Sequence, residues 1–150
     1  MGDNSKKALV ESLNTLLADT FALYIKTKNF HWHVKGPNFR DLHLLFDEQA
    51  AEIFALTDLI AERVRKNGAD TLTSLGAIVR KSQVADQDST GLDAAAMVKE
   101  LIGDNETYLA ALRAAKAAAG EAGDNATEGQ SDDWTDQCER RIWFLKQTVA

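Results

Sequence analysis

The stretch from Asn38 to Asn67 reads as one helix whose chemistry is laid out in two halves, and that layout limits the folds open to the chain. His43 and Asp47 lie one turn apart near its start, and Asp58 and Glu62 lie one turn apart near its end. At about 100° per residue the four positions fall within an arc of about 100° on one side of the helix. Asp47 and Asp58 are nevertheless roughly 16 Å apart along the axis at ~1.5 Å per residue. Iron or zinc takes its ligands at about 2 Å, so one ion cannot touch both pairs in a single chain. Two copies of the helix, laid antiparallel across a two-fold axis, remove the difficulty. Facing positions then have a constant sum, and 43 with 62 and 47 with 58 share it. One register, centred between Glu52 and Ile53, sets His43 and Asp47 of one chain against Glu62 and Asp58 of its two-fold mate, and symmetry repeats the site at the other end. Acids one turn apart are also ordinary on a solvated face in a chain that is 27% charged. The segments around the helix have to decide between the two readings.

A chain of 150 residues is one domain by length, spanning 1–150, and can bury about 68–70% of its unfolded surface. One proline among many Ala, Leu, Glu, Lys and Arg residues favours helix. No segment is expected to reach the ~20 apolar residues of a membrane span. The start, Met1-Gly2-Asp3-Asn4-Ser5-Lys6-Lys7, runs into an amphipathic pattern without a signal-peptide core. Cys138 stands alone, which fits a reducing, cytoplasmic compartment and a small buried apolar role. The net charge of −6 argues against a surface made for nucleic acid, where Lys and Arg neutralise phosphate. Lys6-Lys7 is too short for a basic arm.

The periodicity predicts an all-α fold, a four-helix bundle with a short extra helix between the second and third. The first helix runs from about Ser5 to His33, with Leu9, Leu13, Leu16, Leu17 and Tyr24 as its stripe and Gly36-Pro37 as its stop. Asn38, with Asp41 in the first turn, starts the second, whose stripe is Phe39, Leu42, Phe46, Ile53, Leu56, Ile60 and Val64. Gly68 ends it. The short helix covers about 71–80. Thr90 and Asp93 resemble a capping box for the next helix, with Gly120 and Gly123 after it. Asn125 and Glu128 offer another box for the last helix, to about Val149.

Only three histidines are present: His31, His33 and His43. Neutral imidazole and carboxylate suit ferrous iron. A ferritin-type site within one bundle uses Glu-x-x-His, but the residues three before these histidines are Lys28, Phe30 and Arg40. That motif is absent, in agreement with a site split between chains. The run Lys28-Asn29-Phe30-His31-Trp32-His33-Val34-Lys35-Gly36, then Asn38-Phe39, Leu42-His43, Phe46-Asp47 and Asp58-Leu59-Ile60-Ala61-Glu62-Arg63, resembles the Dps family, the miniferritins of the ferritin-like superfamily. The resemblance implies that His31, His43 and Asp47 of one chain bind iron, two ions per site, with Asp58 and Glu62 of the two-fold mate. Trp32 would lie beside the site. It further implies a hollow dodecamer that oxidises Fe²⁺, preferably with hydrogen peroxide, and stores ferric mineral, with the short helix at the dimer interface.

Each neighbour of the motif has a plainer role to weigh. His33 points about 200° away from His31 and is expected to face solvent. Trp32 either packs in the interface or shapes the site and intercepts radicals. Glu48 reads as a solvated acid, and Glu52 as a surface acid or an iron guide. Arg63 is expected in an interfacial salt bridge. Asp124, Glu128 and Asp132 start the last helix, where the dipole alone favours acids. The family places acidic iron entrances at a three-fold axis near this segment, where three copies would focus a negative field. Two other classes of function compete with ferroxidase activity: a nucleoid protein that coats DNA, and a helical oligomer without redox chemistry.

Overall fold

The computed structural model describes residues 2–150, which form five helices and no strand. They are α1 (Gly2–His33), α2 (Phe39–Lys66), α3 (Leu75–Lys81), α4 (Ala94–Ala122) and α5 (Asn125–Thr148). α1 packs along α2, α4 along α5, and α1 against α4, while the short α3 rests on α1. This is the expected bundle, with residues 67–93 as the crossover between its halves. The apolar stripes meet inside: Leu13, Leu16 and Phe30 from α1, Phe46, Ile53 and Ile60 from α2, Leu101, Tyr108 and Leu112 from α4, and Cys138 and Leu145 from α5 are all fully buried. Each large apolar side chain contributes about 1.5–3 kcal/mol by leaving water.

The helix ends differ in detail from the expected ones. Asn38 precedes α2 but makes no side-chain cap bond, and Phe39 N–H instead donates to the Gly36 carbonyl at 3.0 Å. Gly36 reaches φ +114°, a conformation that costs glycine little because it has no Cβ. α3 begins later than expected, because Ser74 accepts from the Ala77 amide. Asp93 rather than Thr90 caps α4, and Asp124 rather than Asn125 caps α5. Gly123, at φ +72°, closes α4, whereas Gly120 lies within that helix. Ser74 and Asp93 have extended backbone and aim a side-chain oxygen at the amide three ahead, and Asp124 makes the same bond at the start of α5.

One expectation about membranes is overturned. Residues 4–33 of α1 are long and apolar enough to cross one by length and composition. That apolarity serves the bundle, because the leucine stripe of α1 is core. Most of the polar groups buried on the same helix find partners there, although one carboxylate oxygen of Asp19 has none. The Lys26 ammonium pairs with Glu100 at 3.0 Å and Asp104 at 2.9 Å and donates to the Ala85 carbonyl at 2.9 Å. Burial alone would lower its pKa, but these carboxylate partners outweigh that and raise it. Asn14 donates to the Asp70 carbonyl, Asn29 to the Gln87 carbonyl, and Asp19 accepts from the Gln83 amide at 2.5 Å. Asp19 is fully buried. Burial pushes its carboxyl up against the pull of Gln83 and Ser82. The crossover is thus fastened to α1 along its length, which holds α3 on the outside of the bundle. Leu75 and Val79, one turn apart on α3, are 79% and 77% exposed, as a helix meant for another chain would be.

Candidate metal centre

Where α1 ends and α2 begins, two imidazoles stack face to face. The His31 and His43 ring centroids are 3.9 Å apart and the planes differ by 15°. Each ring is tied to the other helix: His31 Nδ1 lies 2.7 Å from the His43 carbonyl oxygen, and His43 Nδ1 lies 2.7 Å from the His31 carbonyl oxygen. A carbonyl oxygen can only accept, so each Nδ1 carries the proton in these bonds and each neutral ring keeps a lone pair on Nε2. That tautomer is the one a metal needs, fixed by a backbone partner.

Asp47 stands at the same corner, its Oδ1 3.7 Å from His31 Nε2. Its carboxyl is held below the usual range, first by the hydrogen bond from Lys28 Nζ at 2.9 Å and then by the positive charge of that ammonium. The sequence reading missed Lys28 as part of this corner. Its signal is weak: a lysine one turn before Trp32 on a helix face. The ammonium supplies the positive charge beside Asp47 and lies 5.8 Å from the Trp32 ring centroid. Phe39 was read only as part of the core stripe. It is 44% exposed and stacks on His43, with centroids 5.0 Å apart and planes at 25°.

The other two expected ligands are elsewhere. Asp58 and Glu62 are exposed toward the far end of α2. Among the described residues, no three His, Cys, Asp or Glu side chains of the chain gather to hold a metal ion. His33 is exposed, and its Nδ1 donates back to Asn29, as expected of a solvent-facing residue. Trp32 is 60% exposed beside the site. Glu52 pairs with the buried Arg141 at 2.7 Å, while Glu48 is exposed. Cys138 is fully buried, and burial pushes its thiol up to about 11. It is structural and un-ionised, as expected.

The expectation for Arg63 needs correction. Arg63 does not wait for a second chain. Its Nη2 meets Asp124 at 2.8 and 3.0 Å, and its Nε donates to the Thr127 hydroxyl at 2.8 Å. Asp124 in turn caps α5 and accepts from the Asn67 amide at 2.9 Å. Its side chain is 9% exposed. Burial alone would raise its carboxyl, but the donors from Asn67, Thr127 and Arg63 hold it far below the ordinary carboxylate range. Asp124 therefore joins the end of α2 to the start of α5, with its carboxylate already engaged within the chain. Glu128 lies over Gly120, with its Oε2 3.1 Å from where a Cβ there would stand. Asp132 is 61% exposed and pairs with Lys116 at 2.5 Å.

A ferritin-like domain model matches residues 10–150. The DNA protection during starvation protein of Brevibacillus brevis is 35% identical over 135 residues, covering 89% of this chain and 89% of that one. The chain belongs to the Dps branch of the ferritin-like family. The X-ray structure of Dps from Thermosynechococcus elongatus superposes with a TM-score of 0.95 at 29% identity, over 99% of this chain and 94% of that one. The Dps protein from Vibrio cholerae O1 superposes with a TM-score of 0.91 at 25% identity, over 98% and 92% of the two chains, and is described as a member of the ferritin-like diiron-carboxylate superfamily.

Proposed function

We propose that this Dps protein is a ferroxidase and iron store whose oxidation site is completed by a second copy of the chain. The observation that carries this is the half-site at the α1–α2 corner. Two imidazoles with Nδ1 committed to backbone offer Nε2 lone pairs next to an ionised Asp47, while Asp58 and Glu62 stand exposed at the matching distance along α2. An antiparallel α2–α2 pairing brings the halves together. The exposed apolar face of α3 and the half-exposed Phe54 on α2 fit such a dimer, and a shell of twelve follows from the family resemblance.

The chemistry requires two ferrous ions close together. Two Fe²⁺ and one hydrogen peroxide, with two protons, give two Fe³⁺ and two waters. Two ions bridged by carboxylates deliver both electrons to one peroxide, which avoids the one-electron cleavage that releases hydroxyl radical. His31 and His43 bind as neutral donors, and Asp47, Asp58 and Glu62 supply the charge that favours the ferric state. Lys28 must give up Asp47 as iron arrives. Trp32, at the edge of the site, is positioned to take up any oxidising equivalent that escapes. The product hydrolyses and collects as mineral inside the shell, in the cytoplasm. The direct test is anaerobic loading with Fe²⁺ followed by peroxide: ferric absorbance should rise with one peroxide consumed per two irons, and a ratio near one to one would contradict paired oxidation.

The B. brevis relative is named for DNA protection, which gives the second reading, a nucleoid-associated role, its support. Charge weighs against tight binding: twelve copies at −6 each carry −72, with only Lys6-Lys7 as a local offset. In a gel shift at physiological salt without divalent ions, the shell should leave plasmid DNA unretarded. Retardation there would restore the nucleoid reading, because neutralised phosphates would have to come from some basic surface.

Iron is proposed to enter past Glu128 and Asp132. Replacing both by their amides should slow iron uptake most at low ionic strength, since a field that steers cations is screened by salt. Equal rates for the variant and the parent at low salt, in intact shells, would remove both residues from the route.

A further inference from the structure

The imidazole pair is held by more than its two carbonyl bonds. Two near-parallel rings lie against His43: His31, with centroids 3.9 Å apart, and Phe39, with centroids 5.0 Å apart. Phe39 is the first residue of α2, one turn before His43, and its amide is anchored to the Gly36 carbonyl at the turn. It is 44% exposed, so it contributes less to the core than Phe46 beneath it, which is fully buried. A single hydrogen bond at Nδ1 leaves an imidazole free to rock about that bond. Stacking against two rings restricts that freedom, and stacked aromatic pairs at this separation are favourable in their own right.

We propose that Phe39 is a positioning residue for the metal half-site: by stacking on His43 it holds that imidazole parallel to His31 and keeps its Nε2 aimed out of the corner. The inference rests on the proposed metal site and extends it to a residue that carries no donor atom. The bond from His43 Nδ1 to the His31 carbonyl fixes which nitrogen is free, and Phe39 fixes where that nitrogen points. An apolar side chain without a ring at this position would fill space but leave the plane of His43 loose.

Co²⁺ is a suitable probe because it takes imidazole and carboxylate ligands, is not oxidised by air at such sites, and reports its ligands through visible d–d absorption. Assembled wild-type protein, Phe39→Leu, Phe39→Tyr and His31→Ala are titrated with Co²⁺, with sizing to confirm equal assembly. Wild type should show a Co²⁺ spectrum that His31→Ala lacks. Phe39→Leu should weaken Co²⁺ binding by about tenfold, the low end of what losing a ligand-orienting partner costs, and Phe39→Tyr should restore it. If Leu binds Co²⁺ as wild type does, or Tyr fails as Leu does, ring stacking is not what holds His43 and the inference falls while the site stands. If wild type gives no His31-dependent spectrum, the metal site itself is wrong and the inference falls with it.

Discussion

Replacing His31 and His43 together by alanine should reduce peroxide-driven Fe²⁺ oxidation to the rate of iron in buffer, with the shell intact. Both nitrogens are the only neutral donors of the proposed site, and the remaining carboxylates hold Fe²⁺ too loosely to bring two ions to one peroxide. The double variant also loses two of the bonds that tie α1 to α2. At about 0.5–1.5 kcal/mol each this lowers stability without unfolding a bundle whose core lies elsewhere. Stopped-flow absorbance of the ferric product, read well below the melting temperature, checks the outcome. Asp58→Ala with Glu62→Ala should behave the same way, although these side chains are exposed in the single chain and touch neither histidine. Rapid oxidation surviving in that second variant would show a site contained in one chain.

Asp124→Ala should be the most destabilising of the acid replacements considered, by on the order of 3 kcal/mol. It removes an N-cap, about 0.5–2 kcal/mol, and the charge-assisted partner of Arg63, about 1.5–3 kcal/mol, and the two contributions overlap. Urea unfolding should show the loss at neutral pH. The acid dependence has a definite sign. A carboxyl depressed in the folded state stabilises it fully above the unfolded value of about 3.9, and that stabilisation is lost as pH falls below it toward the folded value. The gap between wild type and Asp124→Ala should therefore close below about pH 4. Iron uptake by the variant, in shells that still assemble, should match wild type. Slowed uptake with unchanged stability would return Asp124 to the entrance.

The helical stripes were legible in the sequence because they follow from a period of 3.6, while the split site read from ligand spacing remains the proposal tested below. His31 and the dodecamer rested on the family resemblance instead, and Dps membership is what the comparisons bear out. What escaped depends on backbone direction at a single residue. Which of Asp124 and Asn125 caps α5 turns on one backbone angle, and once Asp124 caps, Arg63 has an intrachain partner that no spacing rule supplies. Lys28 and Phe39 were misread for a related reason. Their roles come from the angle at which α1 and α2 meet after Gly36, and that angle brings an ammonium to Asp47 and a ring to His43.

The claim that one site is built by two chains is tested most directly by mixing. Protein carrying His31→Ala and His43→Ala is combined with protein carrying Asp58→Ala and Glu62→Ala under conditions that exchange subunits, and differently tagged copies confirm that mixed dimers form. Each mixed dimer then holds one wholly intact and one wholly broken site. Rapid peroxide-driven oxidation should return in proportion to the mixed dimers, approaching half the wild-type activity per dimer. Mixed dimers, shown to be present, that recover none of the activity would contradict the split site.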